Sequence, residues 1–327
     1  MRNKILYFVF VAVVLALASA PVVFGQEDDR AAQVLAMSRK TIGDTKLDAL
    51  KTMSLQATLQ RNLSAMQLSS DVEILLELPD KYVRTDQSNM PGLTMSATST
   101  GFNGEKPIQP VQGGLAGGAF VIRMGPGGPA PAQSEKLSPE EQEKVGKSVV
   151  RSARQELSRL MLGWFAAAHP SVSAQYTFAG EAESLDGRAY VIDVKNGDGF
   201  AARLFIDQQT NLPLMVTYQG PQRHVMTSGT RVPGGGTVVQ RTPTAPTTEE
   251  QRKKEQHDIN AQVEEMRKQP PAMVDYTLFF EDWRSVDGVQ FPHKIRRAAE
   301  GSTTEEWTVG KVRINPKIDP KKFAVKG

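Results

Sequence analysis

The apolar residues of this chain recur with a period of two over long stretches, and that constrains the fold more than any other feature. Leu55, Ala57 and Leu59 alternate with Ser54, Gln56, Thr58 and Gln60, and Val72, Ile74, Leu76 and Leu78 alternate with Asp71, Glu73 and Glu77. A strand of this kind has one apolar and one wet face, so it belongs in an antiparallel sheet covered on one side. Tyr82-Val83-Arg84-Thr85 resumes the pattern after the turn signal Pro79-Asp80. Four more strands are predicted over 175–179, 189–195, 200–207 and 214–219, parted by Asp-Gly and Asn-Gly hairpin signals. A closing meander is predicted over 275–283, 290–297 and 303–314, with its first turn at Val286-Asp287-Gly288.

Such a sheet needs cover, and one segment supplies it. Ser138-Pro139-Glu140-Glu141 reads as a helix start: a serine cap, proline at the first helical position and a glutamate that closes a capping box. The helix is predicted to run to about Ala168 and to stop before Pro170. Leu157, Leu160, Met161, Trp164 and Phe165 fall at i, i+3, i+4, i+7 and i+8, a wide apolar stripe. A shorter helix is predicted over 28–42, capped by Asp28 or Asp29 and ended by Gly43. The expected fold class is α+β: a large curved antiparallel sheet with covering helices on its concave side.

The first residues read as an export signal. Arg2 and Lys4 precede an unbroken apolar run from Ile5 to Ala18, and Val23-Phe24-Gly25 offers small residues before Gln26. The expected division is a signal peptide at 1–25 and one domain at 26–327. Ala18-Ser19-Ala20 is a second cleavage candidate, but Pro21 follows it directly. An uncleaved anchor is the alternative, although the run to Ala18 is shorter than the ~20 residues a spanning helix needs. No stable membrane span is expected after cleavage, and the periplasm is the expected location. There a chain with no cysteine avoids oxidative mispairing.

Two stretches interrupt the domain. Residues 110–134 carry Gly113-Gly114, Gly117-Gly118 and Gly125-Pro126-Gly127-Gly128-Pro129, read as a mobile loop. Residues 220–272 hold Gly234-Gly235-Gly236 and Thr242-Pro243-Thr244-Ala245-Pro246, then a polar helix expected from about Thr247 to Lys268. This reads as an inserted linker plus helix.

Composition and motifs exclude most chemistry. Zero cysteines remove disulfides, thiolate metal sites and cysteine nucleophiles. The chain carries 39 Lys and Arg against 36 Asp and Glu, and losing Arg2 and Lys4 with the leader leaves 37 against 36. So balanced a surface offers no general attraction for nucleic acid. Gly146-Lys147-Ser148 resembles the end of a phosphate-binding loop, but Glu141 stands where its first glycine belongs. Gly125-x-Gly127-x-x-Ala130 is followed by prolines that forbid the helix a dinucleotide site requires. His169, His224, His257 and His293 have no metal-ligand spacing and are expected to be exposed. Glu181, Glu183, Asp275 and Glu281 lie on predicted strands and are expected to face solvent rather than form a catalytic pair. No catalytic residue, metal ligand or cofactor is assigned, and the chain is not expected to be an enzyme.

Several segments, in order, resemble the LolA-like, or outer-membrane lipoprotein-sorting-like, superfamily. They are Leu75-Leu76-Glu77-Leu78-Pro79-Asp80-Lys81-Tyr82-Val83-Arg84, Phe102-Asn103-Gly104-Glu105-Lys106, Leu204-Phe205-Ile206-Asp207 with Thr210-Asn211-Leu212-Pro213-Leu214, the hairpin from Trp283 to Ile295, and the ending from Val312 to Phe323. The resemblance implies an incomplete barrel closed by helices around an apolar cavity that carries acyl chains of lipoproteins or lipids across the periplasm. On that reading the cavity is lined by Leu76, Leu78 and Tyr82 from strands and by Leu157, Leu160, Met161, Trp164 and Phe165 from the covering helix. For any single one of these side chains, plain core packing is favoured over ligand contact. The partner is then a lipid or a lipidated protein. The alternative within the same superfamily is an envelope sensor or scaffold that binds a protein partner through the 220–272 insertion.

Overall fold

The computed structural model describes residues 24–63, 66–88, 97–108, 120–122, 138–185, 187–222, 225–227 and 272–325. Residues 1–23, where the export signal is expected, and nearly all of 110–134 and 220–272, including the helix expected there, lie outside the described residues. In chain order the elements are α1 (Phe24–Ile42), α2 (Thr45–Asp48), β1 (Thr52–Leu63), β2 (Met66–Glu77), β3 (Lys81–Ser88), β4 (Thr98–Asn103), β5 (Lys106–Pro107) and β6 (Phe120–Ile122). Then come α3 (Pro139–Phe165), β7 (Gln175–Ser184), β8 (Gly187–Lys195), β9 (Ala201–Asp207), β10 (Pro213–Pro221), β11 (Val225–Thr227), β12 (Met273–Val286), β13 (Val289–Ala299) and β14 (Ser302–Ile314). A short 3₁₀ turn, Pro320–Phe323, follows.

Twelve strands form one sheet in the order β5-β4-β3-β2-β1-β14-β13-β12-β10-β9-β8-β7. Every neighbouring pair is antiparallel, and among the described residues β5 and β7 are its unpaired edges, so the sheet does not close. The closing meander joins the first hairpin through β1 and β14, where Leu59 sits opposite Trp307 and Leu55 opposite Val312. That long-range pairing places the two ends of the chain at the centre of the sheet. Separately, β6 and β11 pair in parallel, linking the glycine-rich loop to the start of the insertion.

The sheet is strongly curled, as one pair of contacts requires. The His169 ring packs edge-on against Phe102 of β4, with centroids 5.7 Å apart. The backbone N–H of the preceding residue, Ala168, donates to the Tyr176 hydroxyl of β7 at 2.8 Å. β4 and β7 lie ten places apart in the sheet order, which on a flat sheet is about 48 Å. Two adjacent residues and the two rings they touch reach roughly half of that. The sheet therefore wraps toward a barrel, and residues 166–174 bridge its two flanks. Helices α1 and α3 lie on the inner face, in agreement with the fold expected from sequence.

Period two matches the burial. Met53, Leu55, Ala57 and Leu59 of β1, Val72, Ile74 and Leu76 of β2, and Val274, Tyr276, Leu278 and Phe280 of β12 all point into one core. A small second cluster of Leu75, Val83 and Ile108 lies on the outer face and is covered by Phe323, which is fully buried.

The helix start at Ser138 is as read: its hydroxyl accepts from the Glu141 N–H, and the Glu141 carboxylate accepts from the Ser138 N–H at 2.8 Å. The end comes earlier than predicted. Ala166 takes a left-handed conformation (φ 50°, ψ 35°) and stops α3 at Phe165, before Pro170 has any influence. Helix α1 covers Phe24–Ile42, so Asp28 and Asp29 lie within it rather than at its cap. The acids at 27–29 favour the first turns of a helix.

Candidate functional site

The eight side chains assigned from sequence come together. Leu76, Tyr82, Leu157, Leu160, Met161, Trp164 and Phe165 are all buried in the main core, and Leu78 packs against it half-buried. Their neighbours are the inner-face residues of the sheet: Trp164 lies 5.4 Å from Phe291 and Phe165 lies 6.1 Å from it, centroid to centroid. Closest approach occurs at Gly163, where a Cβ would stand 1.9 Å from Cζ of Phe280. The stripe of α3 is thus seated directly on the sheet. Within this interface the Trp164 indole N–H is buried with no hydrogen-bond partner among the described residues. Burial also pushes the Tyr82 phenol well up, so it stays neutral at any physiological pH.

Beside the apolar stripe runs a chain of seven charged side chains that sequence reading missed. Arg84 donates to Asp86 at 3.0 Å. Asp86 lies 3.6 Å from Arg61, and Arg61 Nε donates to Glu305 at 3.2 Å. Glu305 Oε2 stands 3.1 Å from Nε of Arg297, an ion contact without hydrogen-bond geometry. Arg297 donates to the Glu156 carboxylate and to the Tyr218 hydroxyl. Glu156 lies 3.7 Å from Arg159. Charge alternates along the whole chain, which begins at Arg84 over the Trp307 ring (4.5 Å) and ends at Arg159 over the Tyr218 ring (4.2 Å).

Register explains this placement. Arg61 sits opposite Glu305 in the β1–β14 pair, and Glu305 opposite Arg297 in the β13–β14 pair. Three charges of alternating sign therefore share one row of the inner face. Arg297 is 1% exposed. Burial alone would lower its pKa, but Glu156, Tyr218 and Glu305 outweigh that and raise it well above the usual value. Arg84 behaves alike: burial is outweighed by Asp86, Tyr82 and Glu305. Each charge in the chain has an opposite charge at hand, as buried ions must. Glu156 and Arg159 belong to α3 and the other five to the sheet, so the chain crosses from floor to cover.

The histidine expectation needs correction at two positions. His169 is fully buried, and His293 is 9% exposed. His224 and His257 lie outside the described residues. His169 accepts from the Ser171 N–H through Nδ1 at 3.2 Å, which leaves Nε2 as the protonated nitrogen, buried and without a hydrogen-bond partner among the described residues. Burial first, and Arg154 second, lower its pKa to about 4. The Pro170 that follows gives the sequence the look of an exposed loop, whereas the segment bridges the sheet's flanks and is covered.

Glu181, Glu183 and Asp275 are exposed, as expected of solvated strand acids. Among the described residues no three His, Cys, Asp or Glu side chains could hold a metal ion together, and no described helix is long and apolar enough to cross a membrane. A half-open groove of about 200 Å³ lies on the outer face, lined by Gln56, Glu73, Lys311, Arg313, Lys317 and Lys322 among others. It includes none of the eight assigned residues.

No protein-family model matches the chain, and no curated protein matches it either. Among solved structures, the chain is similar to a LolA superfamily protein of Nitrosomonas europaea, at 10% identity and a TM-score of 0.46, over 90% of this chain and 97% of that one. It is similar to an outer membrane lipoprotein-sorting protein domain of Vibrio parahaemolyticus, at 10% identity and 0.41, over 90% and 97%. It is also similar to a chain of the Pseudomonas aeruginosa MucA/MucB complex, at 13% identity and 0.18, over 88% and 94%. The first two carry the superfamily name that the sequence motifs resemble.

Proposed function

We propose that this is an exported, non-catalytic binding or carrier protein of the periplasm. Its ligand bears an acyl chain, either as a lipid or as a lipidated protein. The mature domain is residues 26–327, released by cleavage after Gly25. The ligand's chain lies between α3 and the sheet, against Leu76, Leu78, Tyr82, Leu157, Leu160, Met161, Trp164 and Phe165.

One observation carries this reading: a single helix buries a continuous apolar stripe against the inner face of a sheet that does not close. The energies match. Burying five large apolar side chains stabilises the seated helix by roughly 7–15 kcal/mol. An acyl chain of about 14 carbons gains ~11 kcal/mol at ~0.8 kcal/mol per CH₂. A chain can therefore replace the stripe on the sheet at little net cost, as reversible carriage requires.

The test is to express the full chain in a Gram-negative envelope and weigh the purified protein by native mass spectrometry. A stoichiometric extra mass that chloroform removes is the expected result, on a polypeptide beginning at Gln26. The bare polypeptide mass, with no uptake of a fluorescent fatty acid, would overturn the reading.

A further inference from the structure

If an acyl chain and the helix stripe exchange at little net cost, the tail does not decide which ligands bind. The polar end does, and the structure offers one place for it. Arg297 joins the sheet to the cover: two of its partners, Tyr218 of β10 and Glu305 of β14, stand on strands, and the third, Glu156, stands on α3. Lifting α3 carries Glu156 away and leaves Tyr218 and Glu305 where they are. The guanidinium, 1% exposed with α3 seated, then loses the bond from one Nη as the acyl chain takes the helix's place over it. A buried cation stripped of a carboxylate is strongly unfavourable unless another anion takes the place.

We propose that Arg297 is the headgroup determinant of the ligand site: a carboxylate or phosphate head replaces the Glu156 carboxylate on its guanidinium as the acyl chain replaces the stripe of α3. This rests on the acyl-chain reading above and narrows the ligand class to anionic amphiphiles. No net charge is buried in the exchange, because one anion leaves Arg297 as another arrives. The planar guanidinium presents two parallel N–H donors to a carboxylate or phosphate. A neutral amphiphile of the same length displaces Glu156 without replacing it.

The experiment measures binding of palmitate, hexadecyl phosphate and hexadecanol to the mature protein by isothermal titration calorimetry, with acetate and inorganic phosphate as tailless controls. Both anionic amphiphiles are expected to bind at least about tenfold tighter than hexadecanol, the usual size of a charge-assisted hydrogen bond. The tailless anions should bind far more weakly than either. Glu156→Gln weakens the contact every ligand must break, so all three amphiphiles tighten and the ratio of anion to alcohol is kept. Arg297→Gln brings that ratio close to one. Should circular dichroism show that this variant is unfolded, Arg297→Gln with Glu305→Gln removes the buried pair together and gives the same reading.

Equal binding of palmitate and hexadecanol by the wild type overturns the headgroup role and leaves the acyl-chain reading standing. So does a ratio that survives in the folded Arg297 variant, or a Glu156→Gln protein whose affinities do not move. Acetate or phosphate binding as tightly as the amphiphiles means an anion site unconnected to a chain, and overturns it too. Binding of none of the three amphiphiles overturns both readings.

Discussion

Gly163 lies flat against the ring of Phe280, so close that a methyl group at 163 would stand 1.9 Å from Cζ and 2.1 Å from Cε2. Gly163→Ala therefore forces the ring aside or lifts α3. The expected loss is about 1–3 kcal/mol in urea unfolding, the usual size of overpacking a core. Phe280→Leu in the same chain should recover part of it, because the two changes share one contact. Strict additivity of the two losses would show that α3 is not seated on Phe280.

Leu160 is fully buried in the middle of the stripe. Leu160→Ala should destabilise the ligand-free protein by about 2–5 kcal/mol, as core truncations do. A change under 0.5 kcal/mol would mean that the helix is not packed on the sheet in the absence of ligand.

The burial of His169 sets a pH dependence. Its folded pKa is about 4, against an unfolded value of about 6.5. The unfolded chain then binds more protons between these values, so stability is complete above pH 6.5, falls as pH drops toward 4 and levels off below. The full drop is about 3 kcal/mol. Denaturant titrations from pH 4 to 7 should show that slope, and His169→Gln should flatten it. An unchanged slope in the variant would assign the pH dependence to other groups.

Phe323 holds the last turn onto the outer face through Leu75, Val83 and Ile108. Phe323→Ala should free the segment around Lys317–Lys322 for trypsin and cost about 3 kcal/mol. Because this cluster is separate from the main core, ligand affinity should stay within about twofold of wild type.

Much of this architecture was legible in the sequence because its signals are local. Alternation placed Leu55, Val72 and Leu76 on one apolar face, and three residues at Ser138 announced α3. The stripe of the candidate site is also local, since Leu157 to Phe165 sit on one helix face. The charged part did not. Arg61, Asp86, Glu305, Arg297 and Glu156 come from β1, β3, β14, β13 and α3 and meet only through strand register and helix docking. On a strand read alone, each looks like an ordinary solvated position. His169 was misjudged for the same reason: no short-range pattern reveals that Phe102, far earlier in the chain, covers it. The end of α3 was misplaced because an alanine in a left-handed conformation carries no compositional mark.

A barrel whose last seam is a hydrogen-bond ladder has its circumference fixed by strand number and shear. Here the flanks are joined instead by the His169 ring on Phe102 and the Ala168 N–H on Tyr176. A ring contact slides and a single hydrogen bond tilts, with no register to break. Neither contact imposes a register on β4 and β7, so the spacing of these two flanks can change while all twelve strands keep their partners.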